Sequence, residues 1–175
     1  MKVFIAGSRA ESNLDIEVIN RLQNICNNNY TILVGDADGV DSSVQKFFEN
    51  KYYSNVYVFA SNGKTRNNRG NWQVKSVQVP DDVKDFDFYV AKDEEMSRQA
   101  DYGFMIWDGE SRGTFNNIIN LINLNKTVLV YYNKMFYTIK NNEELQDFIK
   151  QNVKLNMKLI DLISKKLNPY VQMSL

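Results

Sequence analysis

Residues 2–9 read Lys2-Val3-Phe4-Ile5-Ala6-Gly7-Ser8-Arg9, and residues 30–39 read Tyr30-Thr31-Ile32-Leu33-Val34-Gly35-Asp36-Ala37-Asp38-Gly39. In each, a short apolar run with β-branched residues stops at a glycine and polar residues. Apolar positions at helical spacing follow: Leu14, Ile16, Val18, Ile19, Leu22 and Ile25 after the first, Val40, Val44, Phe47 and Phe48 after the second. The switch of period predicts strand, turn and helix, twice in succession. Asn55 to Ala60 is a third strand, Tyr102 to Trp107 and Thr127 to Tyr132 are a fourth and fifth, and Phe115, Ile118, Ile119 and Ile122 mark a helix between those two. Continuous apolar strands alternating with amphipathic helices indicate a parallel sheet covered on both faces. The expected fold is therefore α/β, a Rossmann-like doubly wound parallel sheet of about five strands with C-terminal helices.

The rest of the chain is less regular. Ser61 to Asp87 interrupts the alternation with the polar, basic run Lys64-Thr65-Arg66-Asn67-Asn68-Arg69-Gly70-Asn71-Trp72, and a short strand is expected over Val74 to Val79. A long insertion after a strand is often functional. A helix is expected over Asp85 to Ala100, with Phe88, Val90, Ala91 and Met96 inward and Lys92, Asp93, Glu94, Glu95 and Arg98 on the polar side. Met135 to Ile139 reads as an edge strand, and Glu143 to Lys150 and Val153 to Lys166 as helices.

Composition narrows the chemistry. The 175 residues include 21 Lys+Arg, 21 Asp+Glu, one cysteine and no histidine. Histidine-based dyads, triads and zinc motifs are excluded. Cys26 alone makes no intrachain disulfide or CxxC pair, and the N-terminus does not read as a signal peptide, so a reducing cytoplasmic setting is expected. No apolar run approaches the ~20 residues of a membrane helix, so no membrane partner is expected. Balanced charge speaks against a broad nucleic-acid surface, which usually carries a Lys/Arg excess.

In a sheet of this kind ligands bind beyond the carboxyl ends of the strands. Three glycine-bearing turns fall there: Gly7-Ser8-Arg9, Gly35-Asp36-Ala37-Asp38-Gly39-Val40-Asp41 and Gly109-Glu110-Ser111-Arg112-Gly113-Thr114. Each opens a predicted helix, where free N–H groups and the positive dipole end favour phosphate or another anion. Ser8, Ser111 and Thr114 offer hydroxyls, and Arg9 and Arg112 bidentate partners for phosphate. Asp36, Asp38 and Asp41 leave three roles open: helix cap, cation ligand, or acceptor for a ribose or a base. Their spacing is not that of an EF-hand, and neither a metal nor a cofactor is expected. Without histidine, acid/base or nucleophilic work falls to a carboxylate, a tyrosine or a lysine. Asp36, Asp38, Glu94, Glu95, Asp108 and Glu110 are the carboxylates near the expected crevice. Arg66, Asn71 and Trp72 in the basic loop suit a phosphate and a stacked base.

Taken in order, Gly7-Ser8-Arg9 after a first strand, Gly-x-Ala-x-Gly-x-Asp over Gly35 to Asp41 after a second, Lys92 to Met96 leading into Ala100-Asp101, and Ser111-Arg112-Gly113-Thr114 before a helix resemble the SLOG superfamily. That group includes the DprA/Smf proteins, the LOG phosphoribohydrolases and the YspA-type proteins, and is structurally similar to nucleoside 2-deoxyribosyltransferases. The resemblance covers roughly residues 1 to 132 and is nearest the YspA-type branch. It implies a nucleotide-binding domain over residues 1–134, with the edge strand and helices of residues 135–175 packed on it. It also implies a homodimer, and a nucleotide or nucleotide-derived ligand near Gly7, Ser8, Arg9, Gly35, Asp36, Gly113 and Thr114. Lys92, Asp108, Ser111 and Arg112 join this set from the turns and the Lys92 to Met96 motif. The C-terminal helices carry enough apolar surface to pack on the domain or to form a dimer contact. In the LOG enzymes the last motif reads PGGxGTxxE, and its Glu takes part in cleaving an N-glycosidic bond. Here Gly113-Thr114 matches, Gly109 to Arg112 replace the Pro-Gly-Gly, and Asn117 stands at the Glu position. N-glycosidase or deoxyribosyltransferase chemistry, the alternative to binding alone, would then fall to Glu95 or Asp38. DprA-like handling of single-stranded DNA is a further alternative, with Lys64 to Trp72 as its surface.

Overall fold

A computed structural model describes residues 1–167. Its strands are β1 (Lys2–Gly7), β2 (Thr31–Val34), β3 (Val56–Ser61), β4 (Gln73–Val77), β5 (Tyr102–Ile106), β6 (Val128–Tyr132) and β7 (Met135–Ile139). Its helices are α1 (Ile16–Asn27), α2 (Val40–Asn50), α3 (Asp85–Gln99), α4 (Arg112–Asn123), α5 (Asn142–Asn152) and α6 (Met157–Lys166). The strands form one sheet in the order β4-β3-β2-β1-β5-β6-β7. Every neighbouring pair is parallel except β6 and β7.

Strand pleating explains how one sheet builds two cores. Val3 and Ile5 of β1, with Ile32 and Val34 of β2, face Val18, Leu22, Val44 and Phe48 of α1 and α2. The alternate residues Phe4 and Leu33 face Met96, Phe115, Ile118 and Leu159 of α3, α4 and α6. Residues i and i+2 of a strand share a face, so an uninterrupted apolar run supplies both sides at once. Each such fully buried side chain contributes about 1.5–3 kcal/mol.

The two edges extend the sheet beyond the five expected strands. β4 ends at Val77, two residues short of the expected span, and pairs parallel with β3, Tyr57 opposite Gln73 and Ser61 opposite Val77. The segment 62–72 therefore runs back along the sheet without a helix. α6 begins at Met157, not Val153, because Asn156 caps it, its side chain accepting from the Leu159 N–H at 3.1 Å. Leu159, Leu162 and Ile163 are buried against the body of the domain. No helix among the described residues is long and apolar enough to cross a membrane.

The strand order places the binding crevice. β1 leads out one way to β2, β3 and β4, and α3 then carries the chain back to β5 on the other side of β1. Beyond the paired carboxyl ends of β1 and β5 the chain leaves to opposite faces of the sheet, to α1 and to α4, and such a reversal is where open α/β sheets take their ligands.

Candidate functional site

Ser8 joins the carboxyl ends of β1 and β5. Its N–H donates to Ile106 O at 3.0 Å, and its hydroxyl oxygen accepts from the Asp108 N–H at 3.1 Å. Fully buried, it acts as a tie and is not among the residues lining the adjoining cavity. Gly7 lies so close to the Ile106 carbonyl and the Val40 side chain that a Cβ has no room.

The cavity at this point measures about 620 Å³, within the ~300–1,000 Å³ usual for small-molecule sites. One wall is the start of α4. Asp108 Oδ1 accepts from the Glu110 and Ser111 N–H groups at 2.9 and 2.7 Å, and Ser111 caps the helix by accepting from the Thr114 N–H at 3.4 Å. The N–H groups of Arg112 and Gly113, in the first turn, have no intrahelical acceptor. A Cβ at Gly113 would meet nothing within 4 Å, so the backbone there is bare. Arg112 lays its guanidinium 4.1 Å from the Phe86 ring centroid, and Arg9 and Lys158 of α6 add further cations to the lining. Phe86, Tyr89 and Val90 of α3 supply apolar surface.

The floor is a buried charge cluster. Lys92 is 3% exposed, and its ammonium donates to Asp93 Oδ1 at 2.8 Å and sits 3.8 Å from Asp36 Oδ1. Asp36 also receives Arg66: Nη2 to Oδ1 at 2.8 Å, Nε to Oδ2 at 3.3 Å and the backbone N–H to Oδ2 at 3.1 Å. Gly35 is packed against this cluster; a Cβ would collide with Asp41 Oδ2 and come within 2.7 Å of Lys92 Nζ. Asp41 accepts from the Ala37 N–H at 3.2 Å.

The environments set these groups apart. Burial pushes the Asp41 carboxyl up to about 7, against the pull of Lys92. Burial also acts on Asp36, but the Arg66 hydrogen bonds and the Lys92 charge outweigh it and hold that carboxyl below its usual range. Lys92 is held above its usual range, because Asp93 and Asp41 outweigh its burial. At neutral pH the floor thus combines a charged lysine, an ionised Asp36 and an Asp41 near half protonation.

Asn117 completes the floor. It is 2% exposed, its Nδ2 donates to Asp93 Oδ2 at 3.2 Å, and its Oδ1 has no hydrogen-bond partner.

Several expected residues lie elsewhere. Asp38 is exposed and accepts from Asn67 Nδ2 at 3.1 Å. Glu95 accepts from Arg98 Nη2 at 2.8 Å and Gln99 Nε2 at 2.7 Å. Neither lines the cavity, whose carboxylates are Asp41, Asp93, Asp108 and Glu110. Asn71 and Trp72 line another cavity with Tyr53 and Arg69, and the indole N–H donates to Tyr53 O at 2.8 Å. The parallel pairing of β4 is the cause: the 62–72 segment returns to the N-terminal end of the sheet before β4 starts, carrying Trp72 away from the crevice. Lys92 and Asp93, expected on a polar helix face, instead point into the domain. Lys92 is one turn from buried Met96, and that i, i+4 spacing is the signal that shows its direction. Asp41 is expected as a cap, cation ligand or acceptor and not as an acid or base, and Phe86, Tyr89, Asn117 and Lys158 are not among the expected site residues.

No family model matches the chain, and no curated protein matches it. Among solved structures it is similar to DNA processing protein A from Helicobacter pylori, a single-stranded DNA-binding protein, with a TM-score of 0.59 and 14% identity over 94% of this chain and 79% of that one. At this level of identity the likeness is one of fold: the chain shares the architecture of DNA processing protein A.

Proposed function

We propose that this chain is a SLOG-type domain that binds a nucleotide or nucleotide-derived molecule in the cavity between β1 and β5. The observation that carries this reading is the bare first turn of α4, where the Arg112 and Gly113 N–H groups, the Arg112 guanidinium, Arg9 and Lys158 gather on one cavity. Free amides at a helix start with adjacent cations favour phosphate. Phe86 and Tyr89 offer rings for a base, and Asp41 offers an acceptor for a sugar hydroxyl. Calorimetric titration with nucleoside phosphates, cyclic dinucleotides and ADP-ribose derivatives tests it: at least one binds, and Arg112→Ala weakens that ligand about tenfold or more. Failure of the whole panel to bind would falsify the reading.

A second reading, N-glycoside cleavage, draws on Asp41 and Asp93. A carboxyl near pKa 7 is matched to proton transfer at neutral pH, and its neighbour Asp93 supplies a second carboxyl in the same cavity. Release of free base from a nucleoside monophosphate, abolished by Asp41→Asn, supports it; a bound nucleotide recovered intact after prolonged incubation removes it.

Single-stranded DNA is the third reading, and the similar solved structure is its support. Two cations of the basic loop are already engaged, Arg66 with Asp36 and Arg69 with Ser42 Oγ at 3.0 Å. Oligonucleotide binding with a steep salt dependence favours it over the small-molecule readings.

A further inference from the structure

A second cavity of about 300 Å³ adjoins the first, and Tyr89 and Lys92 line both. The two are built alike. The first has its own aromatic ring and cation in Phe86 and Arg112; the second has Phe88 and Arg66, with Lys64 at its edge. The loop from Gly35 to Asp41 sends one carboxylate to each, Asp41 to the first and Asp36 to the second, with Lys92 serving both. What divides them is the Tyr89 ring, which is 36% exposed. It is held by one arginine from each cavity, Arg9 at 5.2 Å and Arg66 at 4.7 Å from its centroid.

We infer that these cavities are the two half-sites of one elongated site, whose ligand is a two-headed nucleotide: two nucleoside units joined through phosphate, lying across Tyr89. The inference rests on the nucleotide reading of the first cavity. Paired aromatic and cationic groups on both sides suit two similar heads, and the smaller volume takes one base with its sugar. Contacts of a guanidinium with a half-exposed ring are weaker than its charge-assisted bonds to phosphate. A bridging phosphate that engages Arg9 therefore frees Tyr89 to move or to stack. Joining the heads makes the second contact intramolecular and raises affinity without new chemistry.

The test is calorimetry at 0.15 M salt with the four 5′-ribonucleoside monophosphates and the four matching linear, 5′-phosphorylated homodinucleotides. For at least one base, the dinucleotide binds tenfold or more tightly than its monophosphate. The surface variant Lys64→Glu, whose residue is exposed and lines only the second cavity of the pair, removes most of that advantage and leaves monophosphate affinity within twofold. If monophosphates bind but dinucleotides gain nothing, or Lys64→Glu shifts both alike, the two-headed site is overturned and the nucleotide reading stands. If neither class binds, the two-headed site falls, and the nucleotide reading is decided by the wider panel of cyclic dinucleotides and ADP-ribose derivatives.

Discussion

Asn117 Nδ2 donates to Asp93 Oδ2 across 3.2 Å, tying α4 to α3, while its buried Oδ1 accepts nothing. The amide thus orients a carboxylate with one end and keeps a solvent-sealed, unpaired acceptor at the other. A buried group left unsatisfied costs about 1–3 kcal/mol, so a turn of the side chain that brings Oδ1 to a ligand hydroxyl recovers a comparable amount. Asn117→Ala should lower ligand affinity about tenfold while the circular dichroism spectrum stays native; unchanged affinity would show that the ligand does not reach the floor.

Asp41 gives the molecule a pH signature. Its folded-state pKa of about 7 lies above the ordinary aspartate value near 3.9. The folded state therefore holds the proton more tightly, and the resulting stability is complete below pH ~4 and lost as pH rises to ~7. Asp36 has the opposite sign: its pKa is lowered, so its contribution is present above the usual aspartate value and lost in more acidic solution. Between pH 4 and 7, wild type should lose up to about 4 kcal/mol relative to Asp41→Asn. Thermal melts of the two proteins across that range check it, and parallel curves would contradict it.

Lys92 neutralises a cluster that carries three aspartates. Removing one partner of a buried ion pair costs about 3–5 kcal/mol, because the remaining charges stay buried. Lys92→Met retains most of the side-chain volume and should destabilise by that amount at pH 7.5, by urea denaturation. The loss should be smaller at pH 5, where Asp41 is protonated.

Gly113 separates folding from binding. A methyl group there meets no atom within 4 Å, and alanine is favoured over glycine in a helix by about 0.5–1 kcal/mol. Gly113→Ala should raise the melting temperature slightly. The added methyl also occupies the space against the bare first turn of α4, so the same substitution should weaken nucleotide binding at least fivefold in calorimetry.

The strands were legible because β1, β2, β5 and β6 are buried on both faces and read as unbroken apolar runs. β4 was harder to bound: its residues Gln73-Val74-Lys75-Ser76-Val77 are exposed or half-buried, and little in that pattern reveals which way the strand runs. Its direction decided the fate of Trp72. The glycine and hydroxyl turns at the strand ends come together around one cavity, which Gly7, Arg9, Asp108 and Ser111 to Thr114 all line. The floor was legible only in part, Asp36 and Lys92 being expected near the ligand and Asp93 and Asn117 not, because buried charge looks like surface charge in a sequence. Lys92-Asp93-Glu94-Glu95 reads as one solvated run, yet its first two members reach into the domain and Glu95 pairs with Arg98 and Gln99. Lys158 had no local signal, because α6 reaches the cavity only through its packing on α4.

The Ser8 to Asp108 hydrogen bond spans 100 residues of chain, and that separation sets an order of events in folding. The sequence separations predict that β1 pairs with β2 before its other edge, Val3 to Gly7, meets β5. Until then the central strand is an open edge, a template for pairing with another chain, and closing so long a loop is slow. No half-built version of the cavity exists along the way, because its two walls come from opposite ends of that wait. Any molecule that takes this cavity therefore recognises only the completed fold and stabilises it by mass action.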